Sequence, residues 1–309
     1  MTTKNSSLEK WIQRFLEEQR PRAKSLAVTV FGDSILPHGG VVLLGGLIDL
    51  LAPFGINDRL VRTSVFRLTM DDWLAARRDG RRSHYSLTES GRRRFEHASR
   101  RIYSLPSQKW DGTWTLVLLP RAAQNARDRT ELRRELEWEG FGLVAPGVLG
   151  HLAADIAVLG EILDGLKQRE KVVVISAKDL EAFSSRPFRE LVGQCWNLQE
   201  LAAGYQEYCV RLEPVLTLLR AGNIAPERAF LVRTLMIHSF RRVTLHDPHL
   251  PADTLPESWP GHAAYALSRE IYRLLYKRTE SHLQQVLEDA GGYLPKAAPE
   301  FYRRFGGLT

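Results

Sequence analysis

The sequence runs to 309 residues, 44% of them hydrophobic and 26% charged, with a formal net charge of +7. That balance excludes wholesale disorder, and the length calls for two or three domains with cores of their own. No apolar run is long enough for a membrane helix, no apolar leader follows the mixed charges of the first residues, and Cys195 and Cys209 have neither metal nor redox spacing, so a cytoplasmic protein with reduced thiols is expected.

The positive excess is local. Residues 1–104 hold 18 Lys and Arg against 11 Asp and Glu, whereas residues 105–309 hold 25 of each. In chain order, residues 8–20 read as an amphipathic helix with Trp11, Phe15 and Leu16 on its apolar side, and Pro21 either ends it or begins the next. Ala23 to Ile35 is a second helical run that turns Leu26, Val30 and Phe31 inward, and Pro37 to Gly40 is a turn. Leu43 to Leu51 is a short helix, broken at Pro53-Phe54-Gly55.

The next helix carries the main functional signal. Asn57 or Asp58 can cap it, and Val61, Ser64, Val65 and Leu68 fall on one inward stripe. The opposite stripe is Arg59, Arg62, Thr63, Phe66 and Arg67, a basic face suited to bases and phosphates. A hairpin follows at once. Asp79-Gly80 signals a tight primed turn with positive φ at both central residues, and Arg77, Arg78, Arg81 and Arg82 crowd its tip. A polyanion relieves that crowding and releases its own counterions. Helix, break, helix, hairpin is the order of a winged helix-turn-helix that binds double-stranded DNA.

Residues 88–103 form a basic connecting helix with Arg92, Arg93, Arg94, Arg100 and Arg101, and residues 106–109 form a boundary. Beyond it come a strand over Trp110–Pro120, a charged helix over 125–139, a second strand region over Phe141–Leu149, a helical segment over Ile156–Leu166 and a β-branched strand over Lys171–Ser176. This alternation predicts a ferredoxin-like α/β sandwich. The rest reads as helices over Phe188–Gln206, Tyr205–Arg220, Pro226–Leu245 and Ala263–Leu287, interrupted by a long proline-rich loop over Leu245–Gly261. Such a loop inside a helical domain is often functional.

The expected class is therefore α+β. A winged helix-turn-helix with its basic connecting helix occupies 1–105, and a ferredoxin-like domain for dimerisation or structure occupies 106–180. A mostly helical domain for effector binding or dimerisation occupies 181–309.

Catalytic signals are weak. His238, His246, His249 and His262 fall close together in sequence, but in no standard metal-ligand spacing, and no nucleophile elbow, Walker loop or dinucleotide motif is present. Neither a metal site nor an enzyme is expected, and no cofactor. The alternative is a metal-dependent nuclease or phosphodiesterase built on the ferredoxin-like domain. Against it, the first strand ends Leu118-Leu119-Pro120-Arg121, with no acid at its mouth.

Several stretches together resemble the PaaX family, repressors of the phenylacetic acid catabolic operon. They are Arg22–Leu26, Thr29–Ser34 with Pro37–Gly40, Leu51–Asn57, Arg59–Leu68, Gly80–Ser83 and Leu87-Thr88. Trp110–Gly112 with Trp114, Asp247-Pro248, Leu250-Pro251, Leu255-Pro256 and Trp259–Gly261 extend the likeness over essentially the whole chain. The resemblance implies a cytoplasmic homodimeric repressor that phenylacetyl-CoA releases from operator DNA, with DNA read by Arg59, Arg62, Thr63 and Arg67. His246 and His249 depart from the polar residues expected in the loop, which leaves other aryl acyl-CoA thioesters open as effector. A coenzyme A ligand needs basic residues beside an apolar slot. Arg233, Arg241, Arg242, Trp259 and Tyr265, in the loop and its neighbouring helices, are the residues expected to supply them.

Overall fold

In the computed structural model, residues 2–80, 82–104, 109–120, 125–178 and 188–308 are described. Their contacts define two compact units. The first comprises Met1–Ser104, Glu207–Arg242 and His262–Thr309, and the second Leu105–Gln206 and Val243–Gly261. The helical last third of the sequence is thus shared between the two. Among the described residues no helix is long and apolar enough to cross a membrane.

The first unit starts with α1 (Thr2–Glu18) and α2 (Ala23–Val30). The buried face of α1 is Leu8, Ile12 and Phe15, with Trp11 and Leu16 at its half-buried margins, so the apolar side lies slightly round from the expected one. The run from Ala23 to Ile35 is not one regular helix. After Val30 it widens into a π turn over Phe31–Ile35 and then tightens into a 3-10 turn over Leu36–His38. The widened turn lies fully inside the unit and carries a buried carboxylate, Asp33. π turns recur at functional positions because they reorient a side chain that a regular helix would misdirect.

A short strand, β1 (Val41–Leu43), precedes α3 (Leu44–Leu51) and α4 (Asp58–Met70). The hairpin is β2 (Leu74–Asp79) and β3 (Arg82–Leu87), and α5 (Glu89–Tyr103) follows. The three strands form one antiparallel sheet in the order β1-β3-β2, and β1 enters where the sequence reads as helix or turn. Asp79 pairs with Arg82 in the register, which corrects the expectation that Asp79 is a central turn residue. Gly80, at φ +57, supplies the left-handed backbone that the first loop position requires.

The second unit holds β4 (Thr113–Leu118), α6 (Ala126–Trp138), β5 (Gly142–Ala145), β6 (Val148–His151), α7 (Ile156–Gly165) and β7 (Val173–Lys178). Its sheet is antiparallel in the order β5-β6-β4-β7, the βαββαβ arrangement of a ferredoxin-like sandwich. The region read as one strand over 141–149 is a β5–β6 hairpin. Val117, Leu119 and Leu149 from the sheet meet Leu132 and Leu136 of α6 and Leu159 and Leu163 of α7 in one buried cluster. The alternation that fills it was legible in the sequence.

Four helices and a tail complete the chain: α8 (Phe188–Cys195), α9 (Leu198–Arg220), α10 (Pro226–Thr244), α11 (Pro260–Asp289) and α12 (Pro299–Tyr302). The break expected near residue 205 falls instead at Trp196-Asn197, and α9 runs unbroken through Tyr205. The proline-rich loop is ordered within the second unit. Asp247 accepts from the Tyr205 hydroxyl at 2.7 Å, the Pro248 carbonyl accepts from His151 Nε2 at 3.0 Å, and the Asp253 carboxylate accepts from the Trp110 amide at 3.3 Å. Leu250, Leu255 and Trp259 of the loop are themselves buried. These contacts make the loop a packed cover of its own unit.

Candidate nucleic-acid interface

Helix α4 is set by its cap. The Asn57 side chain accepts from the Leu60 amide at 3.0 Å, satisfying one of the amides that a helix start leaves without a partner. Val61, Ser64, Val65 and Leu68 are buried, and Ser64 Oγ donates to the Leu60 carbonyl at 2.7 Å, so the one hydroxyl on that face is satisfied. Arg59, Arg62, Thr63, Phe66 and Arg67 are all exposed, as the period required. Arg62 pairs with Asp58 at 2.6 Å, and Thr63 Oγ1 donates to the Arg59 carbonyl at 2.8 Å. An exposed pair one helical turn apart is weak, so Asp58 does little to hold Arg62 in place.

The hairpin divides its arginines. Arg77 and Arg78 are exposed on β2. Arg82 Nη1 donates to the Gly291 carbonyl at 3.2 Å, just past the end of α11, where a helix C-terminus favours a cation. Arg81 lies outside the described residues. The base of the hairpin is locked to α5 by Gly91: a Cβ there would sit 2.1 Å from the Trp73 carbonyl oxygen, so only glycine permits the approach. Thr88 caps α5 by accepting from the Gly91 amide at 2.8 Å, and the Arg94 guanidinium lies 5.3 Å from the centre of the Trp73 ring. Arg93 and Arg100 are exposed on the same helix.

Behind this surface lies a buried charge network that the sequence did not announce. Asp33, in the π turn, pairs with Arg233 Nε of α10 at 3.0 Å and with Arg304 Nη1 at 3.1 Å. Arg233 also meets Glu280 of α11 at 3.1 Å, and Glu280 meets His38 Nε2 at 2.9 Å. The hydroxyls of Tyr103 and Tyr272 donate to Asp33 Oδ1 at 2.6 and 3.0 Å. Burial works against the charge on Arg233, but Asp33, Tyr272 and Glu280 together hold its pKa above the ordinary value. Burial also raises the Glu280 carboxyl, and the His38 hydrogen bond and Arg233 charge more than offset it, so the pKa is lowered. The network joins the π turn after α2 to α10, α11 and the final turn, all within the first unit.

The residues expected to bind an effector are placed as follows. Arg233 is fully buried in that network and also donates to Ser34 Oγ at 3.2 Å. Arg241 Nη1 donates to the Ser25 carbonyl and to Thr29 Oγ1, at 3.1 and 2.9 Å. Arg242 is exposed, and the Tyr265 hydroxyl donates to the Tyr103 carbonyl at 3.0 Å. Trp259 belongs to the second unit and the other four to the first. A groove of about 520 Å³ lies between α9 and α11, lined by Leu216, Ala263, Ala266 and Leu267 with Arg269 and Arg273, beside Cys209, Glu213 and Glu270. Glu270 is paired with Arg220. Small residues followed by two arginines one turn apart on α11 were a legible signal for it. Among the described residues no three His, Cys, Asp or Glu side chains gather as a metal site would need.

Comparison with known proteins agrees along the whole chain. Residues 22–91 match the family model of PaaX-like proteins, residues 107–185 the PaaX protein central Cas2-like domain, and residues 196–285 the PaaX-like protein C-terminal domain. The chain is 34% identical over 306 residues to the transcriptional repressor PaaX of Escherichia coli (strain K12), covering 98% of this chain and 96% of that one. A solved structure, the uncharacterized protein Rv0674 from Mycobacterium tuberculosis, superposes with a TM-score of 0.48 at 25% identity, covering 77% of this chain and 90% of that one.

Proposed function

The chain belongs to the PaaX family, and on that premise we propose that it is a DNA-binding transcriptional repressor of the operon for phenylacetic acid breakdown, acting in the cytoplasm and released by phenylacetyl-CoA. The observation that carries the reading is the outward face of α4, where Arg59, Arg62, Thr63 and Arg67 are all exposed beside Arg77 and Arg78 of the hairpin. That surface lies in the stretch holding the chain's whole positive excess. Helix α4 enters the major groove and the hairpin tracks the flanking backbone. Nothing in this role requires catalysis.

A homodimer places two such helices on a two-fold operator. Support for the pairing surface comes from β7, an edge strand whose Val173, Val174 and Ile175 are 50%, 40% and 40% exposed, an apolar edge that soluble proteins rarely leave uncovered. For the effector, the groove between α9 and α11 combines an apolar wall with Arg269 and Arg273, as a thioester with phosphate groups requires, and its volume is in the range of small-molecule sites. Release follows if the acyl-CoA binds the DNA-free arrangement better than the DNA-bound one.

The test is a gel-shift titration on the promoter of the protein's own catabolic operon. Phenylacetyl-CoA is expected to release the DNA, with free phenylacetate and free coenzyme A inert. Absence of any sequence-selective complex overturns the repressor reading. A complex that no member of an aryl acyl-CoA panel releases overturns the effector.

A further inference from the structure

Helix α4 exposes more than charge. At about 100° per residue, Arg59, Thr63, Phe66 and Met70 form the ridge directly opposite the buried stripe, and Arg62 and Arg67 flank it on either side. Phe66 is 64% exposed and Met70 71% exposed, on the surface that carries Arg59, Arg62 and Arg67. Two large apolar side chains, one turn apart and framed by guanidinium groups, are costly in water and serve no buried face of their own unit. What covers them must be anionic at its rims, to meet the arginines, and apolar at its floor, to meet the phenyl ring and the thioether. The major groove of B-DNA has both properties, and its apolar floor group is the C5 methyl of thymine.

We propose that Phe66, with Met70 one turn beyond it, packs on a thymine C5 methyl in each half-site and so adds to sequence preference an apolar contact that none of the cations can make. Arg62 and Arg67 then face the two phosphate walls, while Arg59 and Thr63 share the base-reading ridge with Phe66. The proposal rests on the operator-binding reading above and adds the base group that is read.

The experiment uses the full chain and a duplex that it selects from a random library. Each thymine of that duplex is replaced in turn by deoxyuridine, which removes the methyl and nothing else, and affinity is followed by fluorescence anisotropy at fixed salt. The wild-type protein should lose about fourfold at one position per half-site, the value of one buried methyl group. Phe66→Ala should bind the thymine duplex more weakly by at least that factor and become indifferent to the uridine at that position. Phe66→Leu, which keeps an apolar side chain, should retain part of the sensitivity, and Arg59→Ala should weaken binding while keeping the full methyl effect. Circular dichroism serves as the folding control, and an exposed position leaves the core intact. Wild-type indifference to every uridine, or undiminished methyl sensitivity in Phe66→Ala, overturns the proposal while leaving operator binding standing. A change in sedimentation of Phe66→Ala with no methyl effect overturns it in favour of a second copy on this face. A library that yields no preferred sequence overturns the operator reading and the proposal together.

Discussion

Arg304 donates to Asp33 twice, to its backbone carbonyl at 2.8 Å and to its carboxylate at 3.1 Å. Its guanidinium also lies 4.1 Å from the centre of the Tyr103 ring and donates to the Tyr272 hydroxyl at 2.7 Å. A residue near the end of the sequence thereby holds the π turn that follows α2. Removing one partner of a buried pair leaves the other charge without compensation, which costs about 3–5 kcal/mol. Arg304→Met leaves Asp33 with Arg233 and the Tyr103 and Tyr272 hydroxyls, so it is expected to lower stability to urea by no more than the low end of that range. The double variant Arg304→Met with Asp33→Asn should cost less than the two single variants added together. Strict additivity in denaturant unfolding would show the pair to be energetically independent.

His238 gives the fold an acid limit. Burial, then the charges of Arg241 and Arg242, push its pKa from the ordinary 6.5 down to about 3. The sign follows from proton counting. Between about 6.5 and about 3 the unfolded chain binds a proton on this ring that the folded chain does not, so stability contributed by neutral His238 is full above the upper value and is lost as pH falls through the window. The limiting slope for one proton is about 1.4 kcal/mol per pH unit. Replacing His238 with Asn should flatten the stability profile in this window. An unchanged slope across pH 4–6, an interval of about two units inside the window, would assign the acid sensitivity elsewhere.

The hairpin depends on one missing methyl group. Because a Cβ at Gly91 would lie 2.1 Å from the Trp73 carbonyl oxygen, the Gly91→Ala variant must displace backbone. A loss of roughly 1–3 kcal/mol is expected, as for other overpacked sites, together with weaker operator binding from a displaced hairpin. Alanine at Gly165, where a Cβ meets nothing within 4 Å, is the control and should be close to neutral. Equal effects of the two changes in thermal unfolding would refute the close-approach argument.

Base-reading and phosphate-binding cations differ in what they change. Arg59→Ala should weaken specific binding by roughly 1–3 kcal/mol and alter the preferred sequence. Arg78→Ala should weaken all sequences alike and lower the salt slope by about one. The two behaviours separate in anisotropy titrations across ionic strength on selected and scrambled duplexes. Exchange of the two patterns between the variants would move base reading from the helix to the hairpin.

If β7 pairs two copies, charge on its open edge should part them. Val173→Lys and Ile175→Lys together are expected to turn a dimer into a monomer in analytical ultracentrifugation. The thermal midpoint should change little, because both positions are largely exposed. An undisturbed dimer would place the interface elsewhere.

Much of the exposed basic face of α4 was legible before the fold was known. The inward stripe of α4, its Asn57 cap and its exposed cations follow from residues within a few turns of one another, and helix periodicity is a local property. The strand and helix alternation of the second unit was readable for the same reason, since strand and helix periods differ, although the β5–β6 hairpin read as one strand. The strand β1 was not, because its three residues merge into the apolar run of α3. The hairpin register was not either, because pairing of Asp79 with Arg82 is decided across the ladder and not by the turn dipeptide.

By itself, then, the sequence determined the helix with the exposed basic face, the local concentration of positive charge and the α+β class. Only the tertiary structure decided which charges are available to a ligand. Arg233 and Arg304 are 200 and 271 residues from Asp33, and Arg82 is 209 residues from Gly291. Pairing over such separations leaves no periodic or capping trace, and an arginine buried against a carboxylate has the same sequence signature as one in solvent. The difference between them is desolvation, which exists only once the chain has closed around the pair.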